Sequence, residues 1–175
     1  IMGGLNSEVK EDTETILLES AYFNPVSIRR SARKLAMPTE AAFRFERGID
    51  PEGVIKALNR ATQLIAELTG GSVCKNYIDE YPKKIRHIKN IKLRFEQVRK
   101  ITGAQISAME VTKILRALGM KATQSGKGIY LVTPPTFRVD ITREIDLIEE
   151  IVRIYGFDRV PATLPNVLVG ELLSN

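Results

Sequence analysis

The stretch RVDITREIDLIEEIVRIYG, residues 138–156, gathers the side chains best suited to chemistry: Asp140, Asp146, Glu149 and Glu150. In a helix that turns ~100° per residue, Asp146, Glu149 and Glu150 fall inside roughly 100° of arc, with Asp140 just ahead of the helix. Asp146 and Glu150 are then an i,i+4 pair of like charge, which costs an isolated helix about 0.2–0.5 kcal/mol. Ile141, Ile145, Ile148, Val152 and Tyr155 share the opposite arc and predict a core-facing stripe. The acids are therefore expected on the outer side. One reading makes them a solvated face, since acids in the first turns complement the helix dipole and Arg153 follows Glu149 by four residues. The other makes them oxygen ligands for a cation or contacts for a basic partner.

Other chemistries are poorly supplied. Cys74 is the single cysteine and His87 the single histidine, so no internal disulfide forms, and a zinc site or a Ser-His-Asp triad lacks its parts. Cys74 is expected to be a small buried hydrophobe beside a strand, in a chain suited to a reducing cytoplasm. No apolar run is long enough to span a bilayer and no signal-peptide pattern is present. No residue stands out as catalytic.

The elements that must position these residues follow from periodicity and punctuation. TILLESAYF, residues 15–23, has strand length. Asn24 and Pro25 then open a helix as N-cap and first residue; Ile28, Ala32 and Leu35 would face inward, and Arg29, Arg30, Arg33 and Lys34 share its outer face. That face is solvated or contacts an anion. Asp50 and Pro51 open another helix, whose Val54, Leu58, Ala61, Ile65 and Leu68 form its stripe before Gly70 and Gly71 stop it. Residues 72–81 read as a strand, with a boundary at Tyr81-Pro82.

Beyond that boundary Ile91, Leu93 and Phe95 alternate with Lys92, Arg94 and Glu96, which predicts a strand with one buried and one mainly basic face. A short helix follows from Phe95 to Thr102 and ends at Gly103. Ser107 and Glu110 make a capping box for a helix with Val111, Ile114, Leu115 and Leu118 inward. QSGKG, residues 124–128, turns between two short strands, and Pro134-Pro135 precedes the acidic helix. Helix, turn, helix and hairpin in this order suggest a winged-helix-like domain. Its second helix shows only Thr112, Lys113 and Arg116 outward, with Glu110 among them, too little for base readout. Charge divides the same way: residues 1–80 carry 10 basic and 12 acidic side chains, net −2, and residues 81–175 carry 16 and 9, net +7. The basic half could face an anionic partner such as nucleic acid. The expected fold class is α/β followed by α+β, and the opening IMGG reads as part of something larger.

Three stretches carry a family resemblance: IMGGLNSEV, LLESAYFNPVSIRRSARKLAMPTEAAFRFERGIDP and PPTFRVDITREIDLIEEIVRIYGFDRVPATLP. In the same order, they resemble the β subunit of bacterial phenylalanyl-tRNA synthetase over nearly the whole chain. The resemblance implies that residues 1–80 are the carboxy-terminal part of the subunit's tRNA-editing module. It implies that 83–161 are its fifth, winged-helix-like domain, and that 162–175 lead to the catalytic-like domain. It further implies an α2β2 ligase of the cytoplasm that charges tRNA(Phe) using ATP. ATP belongs to the whole enzyme and not to this part, which is expected to be inactive alone. The α subunit and tRNA(Phe) are the implied partners. By the same resemblance, Glu19 contacts the hydroxyl of mischarged tyrosine, and Ala41 lines the editing pocket. Gly3 and Gly4 form the pocket's edge. Asp140, Asp146, Glu149 and Glu150 are associated with a Mg2+ ion shared with the α subunit. Tyrosine differs from phenylalanine by one hydroxyl, which an apolar pocket rejects only about 100-fold, so a second, hydrolytic site has a reason to exist. Two rival readings are a stand-alone winged-helix nucleic-acid-binding module and a free-standing hydrolase acting on mischarged tRNA.

Overall fold

A computed structural model describes residues 4–81 and 90–162. The chain divides into two compact units, Ile1–Ile88 with Thr136–Val139, and Lys89–Pro135 with Asp140–Asn175. Among the described residues no helix is long and apolar enough to cross a membrane.

The first unit is built from helices α1 (Pro25–Lys34), α2 (Glu40–Phe45) and α3 (Gly53–Thr69), after a single turn at Leu5–Ser7. Capping explains where they start. The Asn24 side chain accepts the Ser27 amide at 3.0 Å and the Thr39 hydroxyl accepts the Ala42 amide at 3.1 Å. Asp50 also works ahead of its helix: its carboxylate accepts the Glu52 amide at 3.0 Å, two residues earlier in the turn than a cap would stand. Gly70 ends α3 in the left-handed region at φ 67, as a C-terminal glycine is suited to do. The short α2 is not evident in the sequence because six residues carry too little periodicity to register.

The two strands expected in this unit do not form. Residues 15–23 and 72–81 carry no strand among the described residues, because an apolar run becomes a strand only when another backbone offers it a ladder. The α/β expectation for this unit is corrected accordingly: its described part is helical with extended connections. Its apolar side chains remain open as well. Ala42 is its only fully buried hydrophobe among the described residues, while Leu17 is 98% exposed and Leu68 85%. Cys74 is exposed, not buried, since the strand it was to lie beside is absent. His87 lies outside the described residues.

The second unit has a closed core of mixed helix and sheet. Strands β1 (Ile91–Arg94), β2 (Lys121–Gly126) and β3 (Ile129–Thr133) form an antiparallel sheet of order β1-β3-β2. Ile91 pairs with Val132 and Lys121 with Thr133, with an irregularity between Gln124 and Gly126 at the turn. Ile91 and Leu93 point inward and Lys92 and Arg94 outward, the alternation expected of a one-faced strand. Helices α4 (Phe95–Thr102) and α5 (Ala108–Ala117) follow β1, and α6 (Glu144–Tyr155) follows β3. Leu93, Val98, Ile106, Val111, Leu115, Val132, Ile141 and Leu147 are essentially sealed from solvent. Gly103 ends α4 at φ 65 with its amide on the Arg99 carbonyl. The Ser107 hydroxyl accepts the Glu110 amide at 3.2 Å and starts α5.

Helix α6 is rotated from its expected setting. Its buried residues are Leu147, Ile148, Glu150, Ile151 and Val152, while Ile145 is 42% exposed. Leu147 and Ile151, which the expected stripe omitted, are the deepest. The rotation brings Glu150 under cover, so the acids do not share one outer face.

Candidate functional sites

In the first unit, α1, α2, the start of α3 and the segment leading into α1 enclose a cleft of about 1210 Å³. Two hydrogen-bonded and packed contacts shape it. The Ser20 hydroxyl donates to the Val54 carbonyl at 2.9 Å and holds the incoming segment on α3. The Phe23 and Phe45 rings meet edge to face with centroids 5.0 Å apart, a favoured aromatic geometry. Gly48, at φ +85, makes the turn from α2 toward α3 in a conformation that strains any other residue, and a Cβ there would press within 3.2 Å of Val139.

The cleft brings Glu19 and Ala41 together on its lining, although they come from different segments. Its walls are largely apolar, from Ala21, Phe23, Ile28, Ala42, Phe45 and Val54. Glu19 is exposed, and its carboxylate has no hydrogen-bond or ion-pair partner among the described residues. An ionised carboxylate only accepts hydrogen bonds, so Glu19 offers an acceptor at the edge of an apolar wall. Such a wall suits an aromatic ring, and the carboxylate suits a hydroxyl or ammonium donor. No histidine or cysteine lines the cleft, whose hydroxyls are those of Ser20, Ser27 and Ser31.

Ala41 and Ala42, though adjacent, are placed differently. Ala41 is exposed and Ala42 is 4% exposed, so the packed alanine of α2 is Ala42. Gly4 caps the turn at Leu5–Ser7, with ordinary φ −76 and its carbonyl accepting from Ser7; it is not on the cleft lining. Gly3 lies outside the described residues. The Phe23–Phe45 pair and Val54 also line the cleft, and no sequence pattern marks them as lining residues.

In the second unit the acidic residues are largely committed to protein partners. Asp146 Oδ2 accepts from the Thr142 amide at 2.9 Å, the Thr142 hydroxyl at 3.2 Å and the Arg143 amide at 2.8 Å. Its Oδ1 accepts from the Arg143 guanidinium at 3.2 Å. The backbone bond from Thr142 is the first cause, with those from Arg143, that holds this carboxyl below its ordinary range. Glu150, 8% exposed, takes Arg153 on both oxygens at 3.3 and 2.7 Å. Glu149 and Asp140 are exposed. Among the described residues no three His, Cys, Asp or Glu side chains are grouped to hold a metal ion. Mg2+ demands near-octahedral oxygens free to point at one centre, so the four acids as held here do not fit a shared ion.

A fifth acid is engaged at the start of α6. Glu144, first residue of α6, accepts the Arg94 backbone amide at 2.7 Å and grips the Arg94 guanidinium through both oxygens. This joins the end of β1 to the start of α6 across fifty residues of sequence. The side-chain bond from Arg94 lowers the Glu144 pKa and raises that of Arg94. Nothing in local spacing marks the pair, since it exists only once the sheet and α6 pack.

Comparison with known proteins adds to this geometry. Residues 1–70 match the B3/4 domain family and residues 91–157 the tRNA synthetase B5 domain family. The chain is 60% identical over 167 residues, 94% of its length, to a protein of Syntrophus aciditrophicus named phenylalanine–tRNA ligase beta subunit. It is 47% identical over 172 residues (97% of its length) to the protein of that name from Desulfotalea psychrophila, and 47% identical over 169 residues (97%) to that from Geobacter sulfurreducens. It spans 21% of the length of each of these relatives.

Proposed function

The chain belongs to the phenylalanine–tRNA ligase beta-subunit family, and on that footing we propose that its first unit forms part of a pocket that edits mischarged tyrosyl-tRNA(Phe). In this reading residues 1–80 are the end of the editing module, 83–161 a winged-helix-like domain, and 162–175 the link to a catalytic-like domain. The working protein is an α2β2 ligase that joins phenylalanine to tRNA(Phe) with ATP, in the cytoplasm. The family match favours this reading over a stand-alone nucleic-acid-binding module.

One observation supports the editing reading above the rest: Glu19 and Ala41 line a single apolar cleft. The tyrosine ring lies along the apolar wall and its hydroxyl donates to Glu19. Ala41 keeps the space beside the ring open. Phenylalanine in the same place would leave the Glu19 carboxylate without the donor that tyrosine brings, so tyrosine is held and phenylalanine passes. The chain's own residues bind and discriminate.

The test is Glu19→Ala in the complete α2β2 enzyme. Losing one hydrogen bond to a charged group costs about 1.5–3 kcal/mol, so tyrosyl-tRNA(Phe) deacylation is expected to fall about ten- to hundredfold while phenylalanine charging holds. Unchanged deacylation refutes the role of Glu19.

For the second unit, Mg2+ shared with the α subunit is proposed only for the assembled enzyme. There Glu149 can meet a partner surface, whereas Asp146 and Glu150 would first have to leave Arg143 and Arg153. No step of the reading depends on that ion.

A further inference from the structure

Helix α1 has two faces with different occupations. Ser27, Ile28 and Ser31 line the cleft. At ~100° per residue, Arg29, Arg33, Arg30 and Lys34 fall within roughly 140° of arc on the other side, beginning beside Ser27 where the cleft lining ends. All four are exposed.

Three features set this face apart from an ordinary solvated one. Residues 24–38 contain these four cations and no acid. None of the four has an ion-pair or hydrogen-bond partner among the described residues, although Arg44 pairs with Glu40 on neighbouring α2 and Arg47 with Glu46 just beyond its end. Finally, Arg29 with Arg33 and Arg30 with Lys34 are i,i+4 pairs of like charge, each unfavourable in a helix. Arg33 and Lys34 lie in the last turn, where the dipole favours cations. Arg29 and Arg30 lie earlier and gain nothing from it.

We propose that this face of α1 is a docking surface for the phosphate backbone of the RNA strand whose aminoacylated end enters the cleft. The proposal rests on the editing reading of that cleft. Charge complementarity selects the occupant. A run of phosphates presents the repeated negative charge that four clustered cations lack among the described residues, and arginine forks match phosphate oxygens two at a time. A protein partner is met mainly by an aromatic or apolar centre with lysine depleted; here the arc holds one exposed apolar side chain, Val26, among four cations, so charge outweighs apolar surface on this face.

The experiment uses the complete α2β2 enzyme with Arg29, Arg30, Arg33 and Lys34 all replaced by Gln, and tyrosyl-tRNA(Phe) as the probe. Gln suits exposed helical positions, and a melt at the parent temperature establishes folding. Each lost phosphate contact removes about 0.7–0.9 from the slope of log affinity against log salt. KM for deacylation is expected to rise at least about tenfold near 0.1 M salt, with kcat kept and the salt slope flatter by about 2 or more. A second variant, Arg29→Lys with Arg30→Lys and Arg33→Lys, keeps the charge and is expected to recover most of the KM and slope. Unchanged KM and slope in the Gln variant, with Glu19→Ala still crippling deacylation, overturns the surface and leaves the cleft reading intact. An inert Glu19→Ala beside a raised KM and flatter slope does the reverse. Loss of subunit assembly with tRNA affinity unchanged also overturns the proposal, in favour of an acidic protein partner.

Discussion

Ala41→Trp and Ala42→Trp make a matched pair, because the two alanines are neighbours in one helix and differ in what lies over them. Both substitutions lose a similar, small amount of helix propensity, about 0.5 kcal/mol. Ala42, 4% exposed, has no room to grow, and overpacking a closed site costs about 1–3 kcal/mol or more. For a unit of this size 1 kcal/mol moves the melting temperature by about 4–8 °C, so Ala42→Trp is expected to lower it by roughly 5–20 °C. Ala41 is exposed on the lining of a cleft of about 1210 Å³, and an indole there can lie along the apolar wall. Ala41→Trp is expected to shift the melt by no more than about 4 °C. It should nevertheless abolish most tyrosyl-tRNA(Phe) deacylation in the α2β2 enzyme by occupying the ring's place. The assay is a thermal melt of the first unit's transition beside deacylation, for both variants and parent. Equal destabilisation by the two tryptophans would refute the placement of Ala41, and a stable Ala41→Trp enzyme with full deacylation would refute the pocket.

Two further outcomes test the second unit. Glu144→Gln is expected to lower the melting temperature at neutral pH. A carboxyl with a lowered folded pKa contributes stability above its ordinary value near 4.5 and loses it as pH falls through the folded value, so parent and variant melts should converge in acid; a constant gap down to pH 3 would exclude the Arg94 contact as its source. Glu149→Gln is expected to change stability by less than about 0.5 kcal/mol, and Glu150→Gln by about 1–3 kcal/mol because it loosens a buried bond to Arg153. Added Mg2+ is expected to leave the melt of the parent chain unchanged, and a rise would show carboxylate oxygens free to take the ion.

What the sequence disclosed depended on the range of the interaction. Asn24, Ser107, Gly70 and Gly103 act within one turn of their own position, and each sits where local chemistry places it. The alternation of Ile91 and Leu93 with Lys92 and Arg94 was legible for the same reason. The strands at 15–23 and 72–81 were not, because a ladder needs a second strand that local composition cannot guarantee. The turn of α6 about its axis was misjudged because Leu147 and Ile151 were left out of a stripe that several near-equivalent arcs could satisfy. Glu19 and Ala41 could be named only through the resemblance, since neither stands in a local pattern that implies the other. Val54 and the Phe23–Phe45 contact are tertiary facts with no sequence signature.

Helices α1 and α6 show why one rule about like charges leads to two different ends. Each gathers charges of one sign at i,i+4 spacing, and each spacing poses the same question: what relieves the repulsion? In α6 the answer is within reach of the helix itself. Arg143 stands three residues before Asp146 and Arg153 three after Glu150, and both acids are held by them; Glu144, at the start of the helix, reaches Arg94 on another element. A cation from outside would have to displace bonds already made. In α1 no acid lies within residues 24–38, and Glu40 of α2 and Glu46 just beyond it pair with Arg44 and Arg47. Repulsion that is answered inside the chain stabilises the fold, whereas repulsion left unanswered on an exposed face is free energy available to an anionic ligand. By that criterion Asp146 and Glu150, held by Arg143 and Arg153, stabilise the fold, and the basic face of α1 is the one we propose meets an anionic ligand.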